Sequence, residues 1–167
     1  MSGTQVPFQP QPFYCEENIW KLCQHPDFQG GEVIFIASYG DYFPMLHQQG
    51  SQQPDLPIFW DYHVILQKED TIYDFNSTLG FATEASKYFS QSFVDAALLS
   101  PLQIPMLRRI PAIEFVAVFK SDRRHMKSQN GWSAPPPEWP LISESESNLS
   151  QFVNMQDLTF GEVIATA

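Results

Sequence analysis

Two β-rich runs joined by three polar residues constrain this chain more than any other feature in it. Ile58–Gln67 (IFWDYHVILQ) and Thr71–Asn76 (TIYDFN) are separated only by Lys68-Glu69-Asp70. A link that short cannot cross over a sheet, so the two runs form an antiparallel hairpin. Strand alternation puts Phe59, Asp61, His63 and Ile65 on one face, and Trp60, Tyr62, Val64 and Leu66 on the other. With the hairpin centred between Lys68 and Glu69, Gln67 faces Asp70, Ile65 faces Ile72 and His63 faces Asp74. Opposed residues share a face about 5 Å apart, so this register brings an imidazole to a carboxylate.

The remaining elements must pack on such a sheet. Cys15–Gln24 reads as a short helix: Ile19, Leu22 and Cys23 fall on one stripe, and Glu16 and Glu17 suit its first turn. Glu32–Ser38 (EVIFIAS) is a buried strand after Gly30-Gly31. Residues 40–57 read as a loop with at most one helical turn, and Thr83–Leu99 as an amphipathic helix carrying Ala85, Phe89, Phe93, Ala96 and Leu99. Ala112–Phe119 fits a strand or a short buried helix equally well. Lys120–Ser150 is a long proline-rich loop, and Val163-Ile164 returns as an edge strand. Residues 1–13 form a flexible lead-in to a single catalytic domain over 14–167.

Composition excludes several functions. The 167 residues carry 9 Lys+Arg against 19 Asp+Glu, a net charge of −10. That argues against nucleic acid or an anionic membrane surface as partner, and suits a cationic substrate. No stretch approaches the roughly 18 apolar residues of a membrane helix. Met1–Gln11 lacks the basic and apolar regions of a secretory signal, so the expected location is the cytoplasm, or the nucleus by diffusion. Two cysteines in a reducing compartment make neither a disulfide framework nor a zinc site.

A single reactive thiol remains. Cys15 stands at a helix start, where free N–H groups and the dipole favour a thiolate and offer an oxyanion site. Cys23 lies on the apolar stripe, about 12 Å along the helix, and reads as core. A thiol needs a base and an orienter. His63 and Asp74 supply both, in the order used by papain-like cysteine hydrolases.

The words around these residues are more specific than their spacing. YCEENIWKLC (14–23), WDYHV (60–64), Ile72-Tyr73-Asp74, Ser121-Asp122-Arg123, His125-Met126-Lys127 and Pro135-Pro136-Pro137 follow one another over most of the chain. In this the sequence resembles the protein N-terminal glutamine amidohydrolases, the WDYHV family. The resemblance implies a monomeric α+β fold of the papain and transglutaminase kind, with the nucleophile at the N-terminus of a helix packed on a mostly antiparallel sheet. It implies conversion of an N-terminal Gln of proteins and peptides to Glu with release of ammonia, upstream of N-degron recognition. Cys15 takes the nucleophile position, His63 the base and Asp74 the orienter. Asn76 stands where a second acid is expected.

The chemistry so implied needs no metal and no organic cofactor. Reading a free α-ammonium requires a carboxylate. Glu16, Glu17, Asp61 and Asp122 are the candidates, Glu16 and Glu17 preferred for lying beside the nucleophile. Trp60 is a wall of the site or core. Asp122-Arg123 is a candidate ion pair closing the long loop, and the Pro135–Pro137 run a candidate wall of the cleft. The rival readings are a cysteine peptidase or transglutaminase using the same triad, and a catalytically silent peptide-binding module.

Overall fold

Glu32–Ala37 is an almost unbroken apolar run because both of its faces are covered. The computed structural model describes residues 5–166. Its elements are α1 (Cys15–Cys23), β1 (Glu32–Ala37), β2 (Phe43–Met45), β3 (Ile58–Trp60), β4 (His63–Lys68), β5 (Thr71–Tyr73), β6 (Ala82–Glu84), α2 (Ala85–Ser92), β7 (Met106–Pro111), α3 (Ala112–Val118), β8 (Lys127–Ser128), β9 (Gly131–Trp132), α4 (Leu149–Val153) and β10 (Glu162–Ala165). Six strands form one sheet in the order β10-β7-β1-β4-β5-β6, each neighbouring pair antiparallel. The architecture is α+β, as expected.

Val33, Phe35 and Ala37 of β1 pack with Val64, Leu66 and the apolar stripes of α1, α3 and α4. Ile34 and Ile36 pack on the other side with Ile65, Ile72, Tyr88 of α2, and Phe43 and Met45 of β2. A strand sandwiched this way loses the polar half of its alternation. Cys23 is 5% exposed within the first of these cores. Arg108, fully buried on β7, donates to the carbonyls of Phe152, Asn154, Asp157 and Phe160 and fastens the C-terminal segment to the sheet.

Several expectations are corrected. The hairpin pairs Gln67 with Ile72 and Leu66 with Tyr73, two residues from the expected register. The turn is the pair Glu69-Asp70, with Glu69 at φ +54°, the conformation a two-residue turn needs to match strand twist. A two-residue shift keeps the side chains of β4 and β5 on their expected faces; Trp60, expected on the face opposite His63, stacks on His63 and packs beside Ile65, because the run breaks before β4. The run Ile58–Gln67 breaks at Asp61-Tyr62: β3 pairs with β2, β4 with β1. Residues 40–57 therefore contain a strand and are not a plain loop. The helix expected over Thr83–Leu99 is confined to Ala85–Ser92. Ala82–Glu84 pairs with β5, and Phe93 leaves the helix to bridge Met45, so sheet contacts override the helical period at both ends. Thr71–Asn76 is a strand only as far as Tyr73, because the chain turns at Phe75-Asn76, with the Ser77 amide closing on Asp74 O. β7 lay hidden between Pro105 and Pro111 behind two arginines. Val163-Ile164 does return as an edge strand, in β10. Of the expected lead-in and the Met1–Gln11 reading, residues 1–4 fall outside the described residues. Further on, Phe8 packs against Phe75 and Trp139. Among the described residues, no helix is long and apolar enough to cross a membrane.

Candidate active site

The site forms where α1 begins and β4 begins. Cys15 is the first residue of α1, preceded by Phe13 at φ +69° and by Tyr14, whose carbonyl takes the Glu17 and Asn18 amides. First-turn N–H groups of a helix have no intrahelical acceptor, which leaves those of Cys15 and Glu16 free for a ligand. α1 packs its apolar stripe on β4, which brings Cys15 to the Val64 N–H, one residue from His63.

His63 is 2% exposed and Asp74 is 1% exposed. Nε2 of His63 lies 2.9 Å from Asp74 Oδ1. The shifted register makes this a diagonal contact between neighbouring strands and no longer a directly opposed one. Asp74 accepts three further hydrogen bonds: the Asn76 amide on Oδ1 (2.8 Å), Tyr88 Oη (2.6 Å) and Gln48 Nε2 (3.1 Å) on Oδ2. Burial alone would raise the Asp74 carboxyl; His63 and the donors from Tyr88 and Asn76 outweigh it and hold it below its ordinary value. An ionised Asp74 fixes the tautomer, with the proton on Nε2 and Nδ1 left as a base. That Nδ1 is buried and has no hydrogen-bond partner.

Trp60 stacks flat on the His63 ring, centroids 5.1 Å apart and planes 8° from parallel. Its Nε1 donates to Gln48 Oε1, which also accepts from Asn76 Nδ2. Gln48 therefore joins the carboxylate to the ring that clamps the imidazole. Trp60 is a wall of the site. Gln48 gave no signal in the sequence, lying in a loop outside any motif; Tyr88 shares the apolar face of α2 with Ala85 and Phe89, and nothing local ties that face to Asp74. Asn76 replaces the expected second acid with a donor.

The Cys15 thiol is pushed well above its ordinary value, first by burial, then by the charges of Glu16, Asp74 and Asp61, with the Val64 N–H opposing. At neutral pH it rests as a thiol.

The four candidate acids separate sharply. Glu17 is fully buried and bound by Arg123 through Nε and Nη2 (2.8 Å each at closest) and by Trp139 Nε1 (3.2 Å). Asp122 is held by Arg124, which lowers its carboxyl to about 2. The expected Asp122–Arg123 pair is thus replaced by two pairs, Arg123 with Glu17 and Arg124 with Asp122. Asp61 is exposed, with Oδ1 on the Tyr62 amide. Glu16 is fully buried; Tyr62 Oη donates to it, and His125 Nε2 lies 3.4 Å away.

A cavity of about 780 Å³ opens onto this arrangement, lined by Cys15, Trp60, Asp61, Tyr62, Asp74 and His125 among others. Its lining includes Ser133 and Ala134 and none of the Pro135–Pro137 run, which is therefore not the expected wall of the cleft. Among the described residues, no group of three or more His, Cys, Asp or Glu could hold a metal ion.

Comparison with known proteins identifies a family. The family model for N-terminal glutamine amidase matches residues 10–167. A protein N-terminal glutamine amidohydrolase of Danio rerio is 36% identical over 165 residues, covering 90% of this chain and 81% of that protein. Proteins of the same name are 36% identical in Drosophila mojavensis (77% of this chain, 69% of that protein) and 34% identical in Drosophila grimshawi (85% and 76%).

Proposed function

The chain belongs to the N-terminal glutamine amidase family and is an amidohydrolase, and from that premise we propose that it deamidates the side chain of an N-terminal glutamine through Cys15, His63 and Asp74. Residues 14–167 act as one catalytic domain of papain and transglutaminase kind, and the Glu-initiated product enters an N-degron pathway. One observation carries the reading: a buried histidine has one nitrogen committed to an ionised carboxylate and the other left open, beside a cavity lined by a helix-start cysteine.

The steps follow from those parts. His63 Nδ1 takes the Cys15 proton as Sγ attacks the side-chain carboxamide carbon. Asp74 compensates the imidazolium that forms. The developing oxyanion meets the first-turn N–H groups of α1. The imidazolium returns its proton to the departing nitrogen, ammonia leaves, and a γ-glutamyl thioester remains on Cys15. Water then gives a proton to Nδ1 and attacks the thioester; the Cys15 sulfur leaves, recovers that proton, and an N-terminal Glu is released. Because the resting thiol is protonated, deprotonation belongs to the attack itself.

Incubation of a Gln-initiated peptide with the protein tests the reading. A gain of about one dalton confined to residue one, with one ammonia per peptide, is the expected result for hydrolysis of a carboxamide through a covalent enzyme intermediate. Chain cleavage would show a peptidase, incorporation of an added amine a transglutaminase, and no reaction a binding module.

A further inference from the structure

The N-terminal glutamine reading says that a free amine is recognised, not by what. The four candidate acids are not equal at this site. Glu17 and Asp122 have arginine partners and no capacity to spare. Asp61 faces the cavity but is exposed, and a water-accessible acid separates an ammonium from an amide weakly. Glu16 is fully buried, follows the nucleophile directly, and has no lysine or arginine within ion-pairing distance among the described residues.

Its contact with the cavity runs through Tyr62. The Tyr62 hydroxyl commits its proton to Glu16 Oε1, so its lone pairs are the acceptors left. Tyr62 and His125 both line the cavity, and His125 Nε2 approaches the pair only loosely, 3.3 Å from Tyr62 Oη and 3.4 Å from Glu16 Oε1. Burial and the Glu16 charge push the Tyr62 phenol well up, which keeps that proton in place. A hydroxyl polarised by a buried carboxylate, with a weakly held edge beside it, has the chemistry of an ammonium acceptor.

Resting on that reading, we infer that the Tyr62 hydroxyl, backed by Glu16, accepts the α-ammonium of the substrate at the place His125 loosely fills. Tyr62 and Glu16 are then specificity-determining residues, and acetylation of the amine removes both the charge and the donors they read.

The test starts from the parent protein and then uses the full chain carrying Cys15→Ala, which binds without turnover. Ammonia release from a Gln-initiated peptide is measured first on the parent; its absence would overturn the proposed function and this inference together. Given release, calorimetry on Cys15→Ala compares that peptide with its N-acetylated twin. The free amine is expected to bind about 30-fold more tightly, the scale of a hydrogen bond to a charged group. Adding Tyr62→Phe or Glu16→Gln should bring the ratio to within about threefold by weakening only the free amine. A merely structural role would weaken both peptides alike. If Glu16→Gln does not fold, Tyr62→Phe, which keeps the ring, decides alone. A ratio that survives Tyr62→Phe, or one that collapses only with Asp61→Asn, would overturn the inference.

Discussion

Glu16 and Glu17 are consecutive, equally buried, and treated in opposite ways. Glu17 has a bidentate arginine and an indole N–H; Glu16 has one phenol, the Glu17 amide and a loosely placed imidazole and, among the described residues, no cationic side chain of lysine or arginine. The same division runs through the molecule. Arg108 finds four carbonyls and Asp74 four donors, while the Nδ1 of His63 finds nothing. Most buried polar groups are partnered, as folded interiors require. Of the three buried side-chain atoms left open among the described residues, Trp20 Nε1 and Ser92 Oγ lie away from the cavity lining, and His63 Nδ1 stands beside it, where a substrate can complete it. A buried ion pair is weak evidence for stability by itself, but stripping one partner from it is costly. Substitutions among the open and the partnered groups should therefore have different effects.

On the open side the largest effect is on catalysis. Cys15→Ala should abolish ammonia release while the thermal transition stays in place. Asp74→Asn should fold but lower kcat by about 10²–10⁴-fold, because the amide no longer fixes Nε2–H and leaves Nδ1 protonated for part of the time. Turnover within tenfold of the parent for Asp74→Asn would show that His63 does not depend on it.

On the closed side the effect is on stability. Arg123→Met leaves buried Glu17 without its cation and with only the Trp139 indole N–H, at a cost of about 3–5 kcal/mol and roughly 10 °C or more in Tm. Glu17→Met with Arg123→Met should recover part of that loss. Tyr62→Phe, on the open side, should cost less, about 1–3 kcal/mol. Equal Tm losses for Arg123→Met and Tyr62→Phe would erase the distinction between the two glutamates.

The two thiols give a smaller contrast. Burial pushes the Cys23 thiol up to about 12, and Cys15 is raised by burial and by Glu16. Both folded values lie above the ordinary one, so the thiols favour folding at neutral pH and lose that contribution as pH rises past 9. Difference absorbance between the parent and Cys15→Ser should show no thiolate at pH 7 and its growth only above about pH 9. Iodoacetamide should modify Cys15, on the cavity, and spare Cys23. Cys23→Ala should cost about 1 kcal/mol and leave kcat/KM unchanged.

Much of this site was legible in the sequence because its residues sit in strong elements. Cys15 opens an amphipathic helix, and His63 and Asp74 lie on a hairpin whose faces survive a two-residue register shift. That robustness follows from the period of the strand: a shift of two preserves a face where a shift of one reverses it. The supporting groups were not legible. Gln48 reaches Asp74 from a loop, and Tyr88 reaches it from a helix whose ends are set by sheet contacts. Arg108 and Arg123 look like surface charges in any local window; only the tertiary fold buries them against carbonyls and a carboxylate. Choosing between Glu16 and Glu17 likewise needed partners distant in sequence, Tyr62 for the one and Arg123, 106 residues on, for the other.

Deamidation on the Cys15 sulfur requires that the side-chain acyl group of residue one be transferred to it. Rapid acid quenching of the protein mixed with a Gln-initiated peptide, followed by intact mass measurement and peptide mapping, tests it directly. The expected result is an adduct equal to the peptide less one ammonia, located on Cys15 and removed by hydroxylamine. An adduct on Cys23, or ammonia released in steady turnover with no adduct at any quench time and no trapping by hydroxylamine, would contradict it.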